Sequence, residues 1–526
     1  MAQGAAQLGN KGTGPKRRRD KVEAAGESPA PDHLGTLQRR LKSRQVQLIA
    51  LSGAIGTGLF VGSDQVLSLA GSLSALVAYA VTGSNLYCVM GSLGEMAAWL
   101  PVPGAVPVFA ARYVDPALGF ALAWNYWYRL AMGVSVEPTA CAVVVDYWHP
   151  AARLPPAAIV SIGLASVVAV NCLPVRFYGE AEFIFGAVKI TTIVGLIVLM
   201  LLIAYLRPGA LGRFLAFVKV FTQVTFSYGG SEMVVVAAGE TENPRRNIPK
   251  AVRRVFWRIA VFYVQSIFLV GLCVSSRDPN LLNAISSSAS GAAQSPFAIA
   301  INTAGIATLP SVINAVILSS AWSAGNSFFY ASTRILYSAA LDGKTPSVLC
   351  RERFGVPYAC VLATSAVSCL AYLSFSNRSA DVFFWFSQIS AVSILVVWAS
   401  VSWTYLQFYC GLRHHGVQRD TLPYTAPLQP FLAWFSLVFC LTAALFNGFD
   451  AFFPGKFGAK TFLPPYVNIL IFLSLFLGYK LAKGTRFVRL SNMDIWSGKA
   501  EIDRLEPTWR VIKPRNVLER IWFWIA

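Results

Sequence analysis

The sequence predicts an all-α polytopic membrane protein of about twelve transmembrane helices, and three observations predict it. Of its 526 residues, 55% are hydrophobic and only 13% charged, against about 25% charged in a soluble globular domain. Apolar stretches of ~20 residues, enough to cross a ~30 Å hydrocarbon layer, recur from residue 46 to residue 483. The basic residues cluster beside those stretches: ten Lys/Arg in the first 45 residues, "PRRNIPKAVRRVFWR" at 244–258, and ten more in the last 47. Lys and Arg beside spans mark the cytoplasmic side and are drawn to anionic leaflet lipids. The net charge of +19 therefore calls for a lipid bilayer as partner and for no nucleic acid.

In chain order, residues 1–42 are polar, basic and rich in Gly, Ala and Pro, a composition that reads as a disordered cytosolic tail without a cleavable signal peptide. Hydropathy then places spans at 46–70, 73–99, 117–146, 156–174, 180–206, 215–240, 253–276, 309–341, 357–376, 382–410, 428–450 and 464–483. The third, eighth and tenth exceed what a perpendicular helix needs and are expected to tilt or extend into water. An even number puts both termini in the cytoplasm, together with the basic loops "NPRRNIPKAVRR" and "LDGKTPSVLCRERF". The external segment 277–308 is long and rich in small residues, with a short helix expected near 296–304. The sequon at Asn377 lies too close to the membrane to be used. Residues 484–526 form a cytosolic C-terminal tail whose end, "NVLERIWFWIA", suits either an interfacial helix or a loose tail. Nine scattered cysteines lack metal-ligand spacing and read as small buried hydrophobes; no metal and no cofactor is expected.

Two spans look weakened on purpose. The first carries Gly53, Gly56 and Gly58 within "SGAIGTGLFVGS"; the sixth carries Gly229 and Gly230 within "TFSYGGSEMVVVAAGETENPRRNIPKA". Each glycine costs about 1 kcal/mol against alanine in a helix interior, and hydrocarbon gives a freed backbone group no partner. Packing alone accounts for the Gly58-x-x-x-Gly62 pair. Paired interruptions in corresponding helices of two halves point instead to a transporter's binding site. Freed amides attract an anionic group and freed carbonyls accept from a cation, so a zwitterion such as an amino acid satisfies both.

"SGAIGTGLFVGS", "WNYW" at 124–127, "YGEAEF" at 178–183, "GETENPRRNIPKA" at 239–251, "NSFFYASTR" at 326–334 and "LQFYCGLRHHG" resemble, in matching order over residues 38 to 495, the fungal amino acid permeases of the amino acid–polyamine–organocation superfamily. The resemblance implies a transporter domain over 43–483 with a LeuT-like five-plus-five inverted repeat: repeats at about 46–206 and 215–410, two extra helices at 428–483, and broken helices 1 and 6. It implies that Gly53, Ala54, Ile55, Gly56, Thr57 and Gly58 line the substrate carboxylate site. Phe226, Ser227, Tyr228, Gly229, Gly230 and Ser231 would supply carbonyls to the amine and walls to the side-chain pocket. Asn326 and Ser327 would face the site from the eighth span. Relatives carry bulkier or amide side chains at the Gly229 position, which implies a roomy pocket here.

Ionisable residues inside spans are functional candidates. Lys189 lies nine residues past Glu180, roughly 13 Å along a helix, near mid-membrane. The resemblance gives it a proton-coupling role; a static ammonium capping helix carbonyls is the other reading. Glu232 follows the sixth-span break and either orients it, carries protons or satisfies freed amides. Glu137 lies deep in the third span, and Arg129, eight residues earlier on nearly the same face, is the expected partner that makes both tolerable. Glu95, near the cytoplasmic end of the second span, is expected to reach water. These readings add up to a secondary active transporter: proton-coupled uptake of L-amino acids across the plasma membrane by alternating access. An amino-acid-sensing receptor, a permease for a betaine or polyamine, and an internal membrane such as the vacuole stand as alternatives. With only four histidines, of which the "LRHH" pair lies in a basic loop without acidic partners, and no P-loop, the sequence speaks against a membrane enzyme and a primary pump.

Overall fold

The structure, a computed structural model, describes residues 55–145, 155–204, 214–236, 241, 243–276, 278–286, 295–304, 309–375, 379–452, 458–508 and 516. Gly53, Ala54, the sequon at Asn377, the N-terminal tail and the aromatic C-terminal end lie outside them. Among the described residues the secondary structure is helical, with no strand.

In chain order the helices are α1 Thr57–Phe60, α2 Ser63–Ala70, α3 Ser72–Trp99, α4 Ala105–Tyr113, α5 Pro116–Val145, α6 Pro156–Asn171, α7 Val175–Ala204, α8 Phe214–Tyr228 and α9 Met233–Val236. There follow α10 Pro244–Arg258, α11 Ser266–Cys273, α12 Pro279–Ser286, α13 Pro296–Thr303, α14 Leu309–Leu341, α15 Tyr358–Ser368, α16 Ser379–His414, α17 Phe431–Phe446, α18 Ala459–Lys483 and α19 Lys499–Leu505. Four helical segments, Ser72–Trp99, Pro244–Cys273, Val382–His414 and Phe462–Lys483, are long and apolar enough to cross a membrane by length and composition. The short external helix expected near 296–304 is α13.

Two elements depart from the hydropathy reading. Pro101, Pro103 and Pro107 suggest a turn, yet Ala105–Tyr113 is helical. Pro107 sits in its first turn, where a missing N–H breaks no helical bond, and Val106, Phe109, Ala110 and Tyr113 are buried along one stripe. The seventh span begins nine residues early, at Pro244. Averaged hydropathy is pulled down by the arginines, but Ile248, Ala251, Val252 and Val255 recur at helical spacing and are buried. A π-helical turn, Ile259–Gln265, joins α10 to α11.

The interior is built on α5, packed against α14 and α16. From Ser320 onward α14 is buried at almost every position, including Ser323, Asn326 and Ser327. The last two long helices do the opposite. On α17, Phe431, Trp434, Phe435 and Val438 are exposed, and on α18, Leu470, Leu473, Leu477 and Leu481. Such surface is stable against hydrocarbon and costly against water.

Residues past α18 fold back across the ends of several helices. The Val488 amide donates to Val114 O (2.8 Å) and Trp99 Nε1 to Ile495 O (2.8 Å). Arg112 pairs with Asp494 at 2.8 Å, and Arg245, at the start of α10, with Asp503 at 2.7 Å and Glu506 at 2.5 Å. Partial burial disfavours the charged form of Asp503, but hydrogen bonds and charge from Lys499 and Arg245 outweigh it and hold the carboxyl below the ordinary aspartate range.

Candidate functional site

The described part of the first expected span begins at Ile55. Gly56 is extended (φ −125°, ψ −158°) and helix α1 begins at Thr57. A second irregularity at Val61–Gly62 separates α1 from α2, with both amides donating to Thr57 O. In the sixth expected span, α8 stops at Tyr228, residues 229–232 form a turn, and α9 starts at Met233. Gly230 has φ +110°, a conformation that only glycine adopts without strain. The turn is tied locally: the Gly229 amide donates to Phe226 O, the Ser231 hydroxyl to Tyr228 O, and the Gly230 amide to Glu232 Oε2.

The two interruptions touch. A Cβ at Gly58 would lie 2.8 Å from the Cα of Ser227, so the first span rests directly on the backbone of α8. Gly56 is enclosed from the other side: a Cβ there would meet Glu137 Oε1 at 3.0 Å and Ala324 at 3.2 Å. Ser320 Oγ, one turn before Ala324 on α14, donates to Ile55 O at 3.0 Å. Glu137 Oε2 and Thr57 Oγ1 are buried without a well-formed hydrogen bond, although the Thr57 hydroxyl and amide both lie close enough to the Glu137 carboxyl to act on it. Unpaired buried polar atoms are rare and each asks for a reason; two of them beside an uncoiled turn leave acceptor and donor capacity for a small polar molecule.

Lys189, on α7, is fully buried, and the carboxylates whose charge acts on it are Glu182 and Glu137. Glu182 is also fully buried and accepts from Ser323 Oγ (2.9 Å) and Asn326 Nδ2 (2.7 Å). A series of buried charges, Glu182, Lys189 and Glu137, thus ends at Gly56.

The family model described as Amino acid permease matches residues 45–492. The chain belongs to the amino acid permease family. It is 40% identical over 526 residues to a proline-specific permease of Emericella nidulans, covering 95% of each chain. It is 36% identical over 516 residues to a lysine-specific permease of Saccharomyces cerevisiae, covering 93% of this chain and 83% of that one. A dicarboxylic amino acid permease of the same yeast is also 36% identical, over 511 residues, covering 92% and 84%. The permease is accordingly a membrane transporter of amino acids and not an enzyme.

Several expectations change at the site. Arg129 pairs with Glu232, not Glu137: Nη1 and Oε1 are 3.0 Å apart and both side chains are 1% exposed. Eight residues along α5 separate Arg129 from Glu137 by roughly 12 Å, too far for one ion pair, while the sixth-span turn lies alongside Arg129. The space at Gly229 is not roomy, because a Cβ there would fall 2.5 Å from Arg129 Nη2 and 2.4 Å from Ile394 Cδ1. Asn326 and Ser327 do not face the first span. Asn326 bonds Glu182 and Asn171, and Ser327 accepts from the Tyr178 hydroxyl at 3.5 Å. At 100° per residue, Ser320 and Ala324 occupy the face turned to Ile55 and Gly56. Tyr228 turns toward α3, donating to Tyr79 O at 2.9 Å, while Phe226 stays beside Gly58. Glu95 is fully buried, bonded to Arg419, the Ala426 amide and the Tyr405 hydroxyl, and does not reach water. Glu182 went unrecognised although it stands seven residues before Lys189, on the same helical face; that spacing was the available signal.

Proposed function

We propose that the permease imports amino acids across the plasma membrane in symport with a proton, by alternating access. The proposal takes the twelve-span, LeuT-like five-plus-five architecture, with both termini cytoplasmic. The observation that carries it is the placement of Glu137. Its carboxylate leans on Gly56 in the first interruption and is also one of the two charges acting on Lys189. One residue therefore borders the substrate turn and acts by its charge on the buried lysine.

In this reading the substrate carboxylate sits at the first amides of α1: Gly58, which lacks an intrahelical acceptor, and Thr57, whose amide it takes over from the Glu137 carboxyl. The proposed carboxylate site extends to Gly53, Ala54 and Ile55, of which Ile55 lies within the described residues. The ammonium is held by carbonyls of the Phe226–Ser231 segment, at the break between α8 and α9. Lys189 exchanges the coupled proton. Its charged form is balanced by Glu182 and Glu137, and loss of the proton leaves Glu137 free to reorganise against Gly56 and Thr57, where substrate binds. Glu232 is committed to Arg129 and to the Gly230 amide, so it holds the second interruption in shape.

The energy suffices. A 100 mV potential supplies ~2.3 kcal/mol per charge, and two pH units add ~2.7 kcal/mol at 1.36 each. Their sum of ~5 kcal/mol, at about 1.4 per tenfold, sustains a gradient of several thousandfold. The test is uptake by purified protein in liposomes across a full amino acid panel. An inward proton gradient and an inside-negative potential are expected to drive accumulation, and a protonophore to abolish it. Uptake indifferent to both gradients would exclude proton symport.

A further inference from the structure

The sixth-span turn holds a buried ion pair to which the transport cycle above gives only a structural duty. Arg129 is the one residue of the pair on α5; Glu232 closes the turn, 3.0 Å away, and water reaches neither. The guanidinium lies 5.6 Å over the Phe328 ring and 5.9 Å from the Tyr126 ring. Its Nη2 and Ile394 Cδ1 fill the volume into which a side chain at Gly229 would project. Its Nε and Nη1 make no hydrogen bond among the described residues, so charge and ring packing hold it, without the bidentate fork that arginine forms with a carboxylate when geometry allows. A carboxylate buried this deeply needs a cation, and Arg129 provides one from within the chain.

We propose that Arg129 is a specificity-determining residue: a tethered cation that occupies Glu232 and the side-chain end of the site, admitting amino acids with compact uncharged side chains and rejecting cationic ones. The proposal rests on the reading of the sixth-span turn as a wall of the substrate site. A lysine or arginine substrate would bring a second cation against the guanidinium, away from water that could screen the repulsion, and would find its natural counter-charge already taken. A long neutral side chain would meet the same atoms as a Cβ at Gly229. Removing the tethered cation leaves Glu232 unpaired and leaves a hollow beside it, the two things a cationic side chain requires.

The experiment is uptake of labelled alanine, proline, norleucine and lysine into liposomes by the wild-type protein, Arg129→Gln and the double variant Arg129→Gln/Glu232→Gln, with Gly56→Val as a control on the site. In the wild type, lysine uptake is expected at least ~100-fold below the better of alanine and proline. Arg129→Gln is expected to raise lysine uptake by about tenfold or more, and norleucine with it. The double variant is expected to keep the norleucine gain and lose the lysine gain, since no carboxylate remains to pair with the ammonium. Wild-type lysine uptake equal to that of the compact substrates, or an unchanged ranking in Arg129→Gln, overturns the proposal. If Arg129→Gln does not fold, the wild-type lysine ratio tests the charge argument, and norleucine uptake by the double variant tests the volume argument. Normal uptake by Gly56→Val would instead overturn the site itself, so the two failures are separable.

Discussion

Gly56→Val is expected to reduce amino acid uptake by about 100-fold while leaving the protein folded and in the membrane. The first methylene alone would press to 3.0 Å from Glu137 Oε1 and 3.2 Å from Ala324 Cβ, and valine adds two more carbons that must displace Glu137, α14 or the substrate. Overpacking of this kind costs about 1–3 kcal/mol, which at about 1.4 per tenfold weakens binding by up to ~150-fold. The larger loss follows because Glu137 would be driven from the turn it shares with the substrate. Initial-rate uptake, alongside gel-filtration profiles in detergent, separates loss of transport from loss of fold. Near-normal uptake by a monodisperse Gly56→Val protein would remove the first interruption from the binding site.

Lys189→Ala should have the second large effect, and a different kind of effect. Lys189 is the buried cation whose charge acts with those of Glu182 and Glu137, and alanine leaves both carboxylates buried among Ser323, Asn326 and the Gly56 turn. Exchange of labelled for unlabelled amino acid across the membrane is expected to continue, because the turns that hold the substrate remain. Accumulation against a gradient is expected to collapse from several thousandfold to none, and the dependence of rate on external pH to flatten. Some destabilisation accompanies this, since removing one partner of a buried ion pair costs about 3–5 kcal/mol. Lys189→Arg therefore serves as the folded control: it keeps the charge but cannot release the proton, and it too should exchange without accumulating. A wild-type pH profile in either variant would assign the coupling elsewhere.

How far the sequence leads differs from one element to the next, for physical reasons. Leu309–Leu341 coincides with its expected span because the apolar run and the helix are the same residues. The glycine break between α8 and α9 was legible for the same reason: a helix in hydrocarbon cannot hide residues that destabilise it. The start of α10 and the whole of α4 were less visible, since averaged hydropathy counts how apolar a stretch is and not which face its apolar residues share. Partners across helices were hardest. Arg129 and Glu137 share a face of α5, which makes them look paired, but Glu232 reaches Arg129 from the turn between α8 and α9, 103 positions later in the chain. Asn326 and Ser327 sit on α14 and bond toward α6 and α7, to Asn171, Glu182 and Tyr178. Rotation about a helix axis is set by what packs around it, and no one-dimensional pattern in α14, polar on several faces, records that.

The account stands on two interrupted helices gripping opposite ends of one zwitterion. An experimental density map of the permease in a lipid nanodisc, saturated with the amino acid it transports fastest, tests that most directly. The predicted result is ligand density between Gly56–Gly58 and Phe226–Ser231, its carboxylate at the Thr57 and Gly58 amides and its ammonium at carbonyls beside Gly229–Gly230. Density elsewhere, with the first and sixth spans continuous and in contact throughout, would contradict it.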